Sequence, residues 1–335
     1  MHDIRDRLRE DAGPTVTVLP DGSVDRRFSI IGPDGAALSR ETVSEELLED
    51  AKTFLTRPLG EEPGGQSVNA ARQLHELGAK TTLVGHVDHH IFSSLPFQRY
   101  SMGDPAEILL YELADGVLMF AAESADIEAW TFDRFESTVG PAAAQLLGAD
   151  AVLWTNWAAF PHATEALTQL DDVVPDGNVL VIDPGAVSTR PPADRVELLD
   201  ALRSVEYSFE VVLSPNRREA DHIAEALDVE PESGPQVATL LRDRADIEAV
   251  VVHDVPAAAV VTRTETLEVP TVEEVRPTRH AGGGDRFSAG IAFGRALGWS
   301  WEETLTVGNA CATYFLIHGI SGTPDELVAM LDAHT

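Results

Sequence analysis

Short apolar runs alternate along the chain with longer segments in which apolar residues recur at helical spacing. The short runs predict buried strands, and the longer segments predict the helices between them. The predicted strands are Thr15–Leu19, Thr81–Val84, Ala151–Trp154, Val179–Ile182, Val211–Leu213 and Ala249–Val252. The predicted helices are Val68–Leu77, Ala142–Leu147, His162–Leu170, Arg195–Val205, Arg217–Leu227, Val237–Ala245, Asp285–Leu297, Trp301–Leu316 and Asp325–Asp332. This alternation predicts an α/β fold with a mainly parallel central sheet and helices on both faces.

Two parts of the chain interrupt this alternation and predict a second, smaller sheet. Apolar and polar residues alternate in Ser23–Ile31, and again in Glu107–Leu113 and Val117–Phe120, which flank Ala114-Asp-Gly116. An Asp-Gly pair between alternating runs is a strong hairpin signal. We therefore expect lid strands at approximately 21–37 and 105–123, inserted into a single domain that spans residues 1–335. Ligands of parallel sheets bind at the carboxyl ends of the strands, which such a lid would cover.

The charge balance of the chain is strongly acidic. Its 56 Asp and Glu residues against 24 Lys and Arg give a net charge of −32, and only Lys52 and Lys80 are lysines. A lysine-poor, acidic chain is typical of halophilic proteins from a haloarchaeon-like source, because concentrated salt screens the self-repulsion. The alternative is an ordinary acidic protein. Nucleic acid and anionic membranes are excluded as partners, since both require basic patches.

The single cysteine and the absence of long apolar stretches indicate where in the cell the protein is located. Cys311 can form no internal disulfide and lies in an apolar helical segment, which indicates a buried, inert thiol. The first ten residues contain no apolar signal segment, and no apolar stretch is long enough to span a membrane. We therefore expect a cytoplasmic protein.

The segment Arg279-His-Ala-Gly-Gly-Gly-Asp285 predicts a site for phosphoryl transfer. Three glycines at the start of a helix leave backbone N–H groups at the positive end of the helix dipole, where they hold an anion. A carboxylate such as Asp285 would repel a phosphate at this position. Its presence is explained if it removes a proton from the hydroxyl that attacks the phosphate. A P-loop is excluded because no lysine follows the glycines, and a dinucleotide fingerprint is excluded because its last glycine is missing.

Two further motifs carry polar residues at predicted helix starts. Gly64 and Gly65 would let a ligand approach the backbone, and Asn69 could bond sugar hydroxyls as both donor and acceptor; a simple helix start explains them equally well. Asn216 and Glu219 follow a predicted strand and share a helix face, so they could hold a hydrated magnesium ion. The same spacing is that of a helix capping box, which the motif taken alone favours.

Taken in order, these motifs resemble those of the ribokinase-like (PfkB) carbohydrate kinases. The matching patterns are Gly-Gly-x-x-x-Asn-x-Ala at 64–71, Asn-x-x-Glu at 216–219 and Gly-x-Gly-Asp at 282–285. The similarity extends from about Thr15 to Leu327. It implies a ribokinase-like fold and a Mg²⁺-dependent kinase that transfers the terminal phosphoryl group of ATP to a hydroxyl of a sugar or sugar-like molecule.

The resemblance also implies a role for each matched residue. The transfer site would consist of the base Asp285 and the anion-hole amides of Gly282, Gly283 and Gly284. The acceptor would be bound by Asp25, Gly64, Gly65 and Asn69. The nucleotide would be bound by Asn216, Glu219 and Asn309, with Glu219 and Asn216 holding Mg²⁺ through water. Arg279, which the family pattern does not supply, is a further candidate for binding the nucleotide. Relatives are commonly lid-to-lid dimers, so a homodimer is compatible with the resemblance.

The chain departs from the family pattern just before the glycines. Arg279 and His280 replace an Asp-Thr pair that helps to build a monovalent-cation site, so potassium activation by the usual route is not expected. Arg279 would either supply positive charge beside the anion hole or be a solvated loop residue. The cluster of His86, Asp88, His89 and His90 could bind a transition metal, but adjacent histidines usually point apart.

Three alternatives to an ATP-dependent sugar kinase remain open at this point. An ADP-dependent kinase and a nucleoside kinase of the same fold would use similar motifs. A catalytically silent sugar or nucleotide sensor would account for the departures, although a sensor has no need of the base Asp285. Asn156 and Asp183 end predicted strands at the ligand edge, where packing and a turn are the simpler explanations.

Overall fold

The computed structural model describes residues 4–10, 13–170, 173–174, 178–271, 279 and 281–333. Its strands are β1 (Thr15–Leu19), β2 (Ser23–Ile31), β3 (Leu55–Gly64), β4 (Lys80–Gly85), β5 (Gln98–Ser101), β6 (Ala106–Leu113), β7 (Gly116–Ala122), β8 (Ala151–Thr155), β9 (Val179–Asp183), β10 (Glu210–Leu213), β11 (Ala249–Val252), β12 (Ala257–Thr262) and β13 (Thr266–Pro270). Its helices are α1 (Ile4–Glu10), α2 (Arg40–Leu48), α3 (Gln66–Glu76), α4 (Ala125–Glu128), α5 (Phe132–Val139), α6 (Ala143–Leu147), α7 (Ala163–Thr168), α8 (Pro192–Val205), α9 (Arg217–Glu225), α10 (Gly234–Ala245), α11 (Gly283–Ala296), α12 (Trp301–His318) and α13 (Pro324–Ala333). In these residues, no helix is long and apolar enough to cross a membrane.

The central sheet has nine strands in the order β13-β12-β11-β10-β9-β8-β1-β4-β5. All pairs from β11 to β5 are parallel, and β12 and β13 add an antiparallel edge. The α/β prediction is confirmed, and all six predicted central strands are present. The sequence analysis missed β5, β12 and β13, which lie at the two edges of the sheet, where the helix–strand alternation ends.

Both faces of the central sheet are buried. Along β8, Val152 and Trp154 belong to one apolar cluster, whereas Ala151 and Leu153 belong to the other. The first cluster contains residues of α5 to α10, and the second contains residues of α3, α11 and α12. Because neighbouring strand residues point to opposite faces, burial of both faces requires an uninterrupted apolar run. This is why the central strands were readable from the sequence.

The smaller sheet has four strands in the order β3-β2-β6-β7. The predicted hairpin is confirmed, with Leu113 paired to Gly116 across the turn. Strand β3 was missed, because Pro58, Gly60 and Pro63 argue against a strand. It lies at the edge of the sheet, paired only with β2, where a missing N–H donor is tolerated. The lid is therefore larger than the segments 21–37 and 105–123 that the sequence predicted.

Candidate active site

A cavity of about 940 Å³ lies between the lid and the central domain. Asp25 of β2, Asn69 of α3 and Asp285 of α11 line it together, as do Gly65 and Gly282. The structure therefore brings the predicted acceptor residues and the predicted base into one site, although they are far apart in the sequence.

Asp285 lies in the first turn of α11 and is 7% exposed. Its Oδ2 accepts a hydrogen bond of 2.8 Å from Nδ2 of Asn69 and lies 3.8 Å from Nη1 of Arg286. Burial raises the pKa of the Asp285 carboxyl, and Arg286 and the Asn69 hydrogen bond oppose that rise. A buried carboxylate with a raised pKa that faces a cavity is equipped to accept a proton.

The glycines predicted to form an anion hole lie at the start of α11. Gly282 precedes the helix with a φ of 91°, a left-handed conformation that favours glycine. Helix α11 begins at Gly283, so its first amides point outward without partners inside the helix. These amides and Asp285 share the same helix end, as the sequence predicted.

His253 is a residue of this region that the sequence analysis missed. It directly follows β11, and a Cβ atom placed on Gly284 would lie 3.1 Å from its Cε1. Its ring also packs against Phe287, with 4.7 Å between the ring centroids. Burial lowers the pKa of His253 to about 4, so the imidazole is neutral. Its position after a predicted strand at the ligand edge was the available signal.

The acceptor end of the site is built around Asp25. Burial raises the pKa of Asp25 to about 6, a hydrogen bond from Ser23 opposes the rise, and Glu62 and Asp285 add to it. A Cβ atom on Gly64 would lie 2.1 Å from the Asp25 carboxylate. Gly64 is therefore required by the position of Asp25, a contact within the protein that the sequence analysis did not foresee.

Asp21 caps the start of α3. Its carboxylate accepts hydrogen bonds from the backbone N–H groups of Gln66 and Ser67, at 3.0 and 2.6 Å. It also accepts from Thr155 and from the amide of Asn156, both at 3.1 Å. Gly65, with a φ of 96°, packs against the backbone of Gly22. The start of α3 thus already holds an internal carboxylate.

Asn216 and Glu219 form a complete capping box at the start of α9. The Asn216 side chain accepts from the Glu219 backbone, and the Glu219 side chain accepts from the Asn216 backbone, each at 2.9 Å. The capping interpretation is confirmed. Neither residue lines the large cavity, and their predicted role in metal and nucleotide binding stays a prediction.

The surroundings of Glu219 suit a hydrated cation. Burial raises the pKa of Glu219 and that of Asp183; the Asp183 carboxylate adds to the rise at Glu219, and the Asp285 carboxylate adds to the rise at Asp183. Neither forms an ion pair with any described residue. Two buried carboxylates without a counter-charge fit a magnesium ion that keeps most of its water. Among the described residues, no three His, Cys, Asp or Glu side chains are grouped to ligate a metal directly.

Arg279 lines the cavity and is paired with a carboxylate of the lid. Its guanidinium forms a two-bond ion pair with Glu62 of β3, at 3.0 and 3.2 Å, and so joins the central domain to the lid. Its charge is already partnered, and its predicted role in nucleotide binding stays a prediction. Asn309 donates to the backbone carbonyls of Val269 and Pro270, both at 3.2 Å, and does not line the cavity. His280 lies outside the described residues.

The histidine cluster is distributed over several local contacts. His86 is buried and its Nδ1 is bonded to the Pro20 carbonyl at 2.9 Å. The His89 side chain accepts from the backbone N–H of Ile91 at the start of a short 3-10 helix, and its ring lies 4.2 Å from that of His90. These side chains and Asp88 form no metal-binding group within the described part of the chain.

Comparisons with known proteins agree with this geometry. The profile of the prokaryotic ketohexokinase family matches residues 44–334. A ketohexokinase from Haloferax volcanii is 26% identical over 302 residues, which cover 85% of this chain and 79% of that protein. Among solved structures, ribokinase from Arabidopsis thaliana complexed with ribose and ATP matches with a TM-score of 0.69 and 18% identity, over 95% of this chain and 99% of that one. Phosphofructokinase-2 from Escherichia coli matches with a TM-score of 0.70 and 15% identity, over 96% and 99%. The structural matches establish the ribokinase fold.

Proposed function

The chain belongs to the prokaryotic ketohexokinase family, a group of ribokinase-like sugar kinases, and we propose that it transfers the terminal phosphoryl group of ATP to a hydroxyl of a ketohexose. The observation that carries this proposal is the position of Asp285. Its carboxylate faces the cavity, is bonded to Asn69, and shares the end of α11 with the outward-pointing amides. A base, an acceptor cavity and an anion-binding helix end therefore meet at one point.

In this proposal the residues act mainly by positioning. The acceptor lies in the cavity with its hydroxyls bonded to Asp25 and Asn69, and Asp285 takes the proton of the attacking hydroxyl. The amides of Gly282, Gly283 and Gly284 hold the phosphoryl group as its charge develops. Phosphoryl transfer depends on positioning and charge stabilisation more than on covalent catalysis, which these groups can supply.

The metal and the nucleotide phosphates are assigned to the start of α9. Asn216 and Glu219, with Asp183 beside them, would hold Mg²⁺ through water molecules. When bound, the ion neutralises phosphate charge. This assignment is supported by the two uncompensated carboxylates, Glu219 and Asp183, whose pKa values are raised by burial and by neighbouring carboxylates.

The charges of the cavity favour an uncharged sugar over a sugar phosphate. Among the described residues, eight carboxylates and four arginines line the cavity. Arg27 and Arg279 already pair with Glu112 and Glu62, respectively. Sugar hydroxyls can donate to the remaining carboxylates, whereas a second phosphate would be repelled by them.

The decisive experiment compares the wild-type enzyme with Asp285→Asn. Phosphoryl transfer from ATP to ketohexoses is followed with Mg²⁺ in concentrated KCl, and nucleotide binding is measured separately. We expect turnover to fall by at least about 10²–10³-fold, with nucleotide binding retained. Asp133→Asn, an exposed aspartate in the first turn of α5, is the control and should be silent.

Three results would contradict the proposal. Turnover retained in Asp285→Asn would show that Asp285 is not the base. Nucleotide binding lost together with turnover would give Asp285 a structural role. Wild-type activity with ADP but not with ATP would identify an ADP-dependent kinase instead.

A further inference from the structure

Arg286, the residue after the proposed base, is a buried cation with an unusual set of contacts. It is 3% exposed, and its guanidinium lies 3.7 Å from the centroid of the Phe315 ring. Its Nη1 donates to the Gly282 carbonyl at 2.9 Å, and its Nη2 donates to Oδ1 of Asn69 at 3.1 Å. Burying a guanidinium is costly unless its charge and donors are used. Arg286 therefore connects the glycine turn before α11 to the acceptor-side helix α3.

The contact with Arg286 holds the Asn69 amide in the orientation that the Asp285 carboxylate also requires. The two ends of an asparagine amide have nearly the same shape but opposite hydrogen-bonding character. Because Arg286 can only donate, it holds Oδ1 of Asn69 towards itself. The Nδ2 donor of Asn69 is thereby directed at Oδ2 of Asp285. Without Arg286, the Asn69 amide would lose the second of these two contacts and would be held by the carboxylate alone.

The charge of Arg286 also balances that of the base. Nη1 lies 3.8 Å from Oδ2 of Asp285, too far for a hydrogen bond but close enough for strong electrostatic attraction. The ionised Asp285 stands at the end of α11, where it repels an arriving phosphate. A buried cation beside it offsets this repulsion without blocking the carboxylate.

We propose that Arg286 is a positioning residue for phosphoryl transfer, which fixes the Asn69–Asp285 pair and offsets the charge of Asp285 at the anion-binding end of α11. This inference rests on the proposed function, because it takes Asp285 as the base.

The other charged groups that face Asp285 are acidic. Asp21 precedes β2, Asp25 lies on β2, Asp183 ends β9 and Glu219 lies on α9, and each disfavours a second negative charge. Arg286 is the cation that lowers the pKa of Asp285 against the effect of burial. Loss of Arg286 should therefore raise that pKa, so that the base becomes protonated at a higher pH.

The test compares Arg286→Met and Arg286→Lys with a matched control. Arg295→Met is on the same helix, and Arg295 also lies over an aromatic ring, that of Trp301 at 4.5 Å, but it is bonded to Glu210 away from the site. Steady-state kinetics are measured from acid to neutral pH, with thermal unfolding of every variant.

In Arg286→Met we expect kcat to fall about 10²-fold, the effect of a misplaced reactive group, with little change in KM for ATP. In the pH profile of kcat/KM, the acidic limb should move to higher pH. Arg286→Lys keeps the charge, so it should recover part of kcat and return the limb towards the wild-type position. Arg295→Met should lower stability and leave kcat and the acidic limb of kcat/KM unchanged.

The inference is overturned if Arg286→Met keeps the wild-type kcat and pH limb. It is equally overturned if kcat is lowered as much in Arg286→Lys as in Arg286→Met and the acidic limb of kcat/KM stays at the wild-type pH in both variants. That result would show that Arg286 acts only by packing. If Arg286→Met does not fold, Arg286→Gln takes its place as the uncharged variant, and the same two criteria are applied to it. Turnover retained in Asp285→Asn would instead refute the proposed function.

Discussion

Gly64→Ala offers a test of the acceptor site that adds a single methyl group. Gly64 ends β3 and pairs with Ser23, and its backbone conformation is one that alanine can adopt. The added Cβ would lie 2.1 Å from the Asp25 carboxylate, whereas ordinary contacts begin at 3.4 Å. The carboxylate must therefore move by about 1.3 Å.

The expected effect on activity is much larger than the effect on stability. A carboxylate at the end of a short side chain can rotate away at a cost of about 1 kcal/mol, the energy of a strained rotamer. Displacement of a substrate-positioning group by about 1 Å can cost about 10²-fold in rate. We therefore expect kcat/KM for the ketohexose to fall by about 10²-fold, while KM for ATP is nearly unchanged.

The assay varies the ketohexose at saturating ATP and then varies ATP at saturating ketohexose. Gly234→Ala is the control, because its new Cβ would have Ala259 as its nearest neighbour at 3.8 Å. Asp25→Asn should show the same acceptor-specific loss as Gly64→Ala. An unchanged kcat/KM for the acceptor in Gly64→Ala would show that Asp25 does not bind it. Equal losses for both substrates would indicate a general distortion of the lid.

Two further predictions concern the metal and the lid. Glu219→Gln should weaken the dependence of activity on Mg²⁺. Glu303→Gln makes the same change in the capping box of α12, where Gln can still accept from the N-cap N–H, and should leave the metal titration unchanged. An unchanged titration in Glu219→Gln would leave that residue as a cap only. Arg279→Met and Glu62→Gln should each raise KM for the acceptor. The double variant should have the same KM as either single variant, because each change breaks the same ion pair, which is worth about 1 kcal/mol. The control is the double variant Arg26→Met with Glu61→Gln, which removes an exposed ion pair within the lid and should leave KM unchanged. Additive increases in KM for Arg279→Met and Glu62→Gln would show that these two residues do not act as one pair.

The parts of the fold that the sequence predicted are those governed by local pattern. A strand such as β8 is buried on both faces, so its apolar run is continuous and readable. Strand β3 is exposed over most of its length and contains two prolines, so only its pairing with β2 makes it a strand. Such pairing is a long-range contact that no local pattern encodes.

The same distinction applies to the site. Asp285 could be proposed as the base because its motif is local, with the glycines and the aspartate together at the start of α11. The ion pair between Arg279 and Glu62 was not predicted, because the two residues are 217 positions apart in sequence. The contact between Arg286 and Asn69 was missed for the same reason, since these residues are also 217 positions apart. Partners of charged side chains were thus the least predictable property of this site.

These pairings show how a very acidic, lysine-poor chain keeps its site balanced. The two lysines, Lys52 and Lys80, do not line the cavity, and its cations are all arginines. An arginine can hold a carboxylate or an amide oxygen with directed bonds, whereas an ammonium acts mainly as a point charge. Concentrated salt screens exposed charges strongly and buried pairs much less. The contacts of Arg279 and Arg286 should therefore persist at salt concentrations that weaken exposed ion pairs such as that between Arg26 and Glu61.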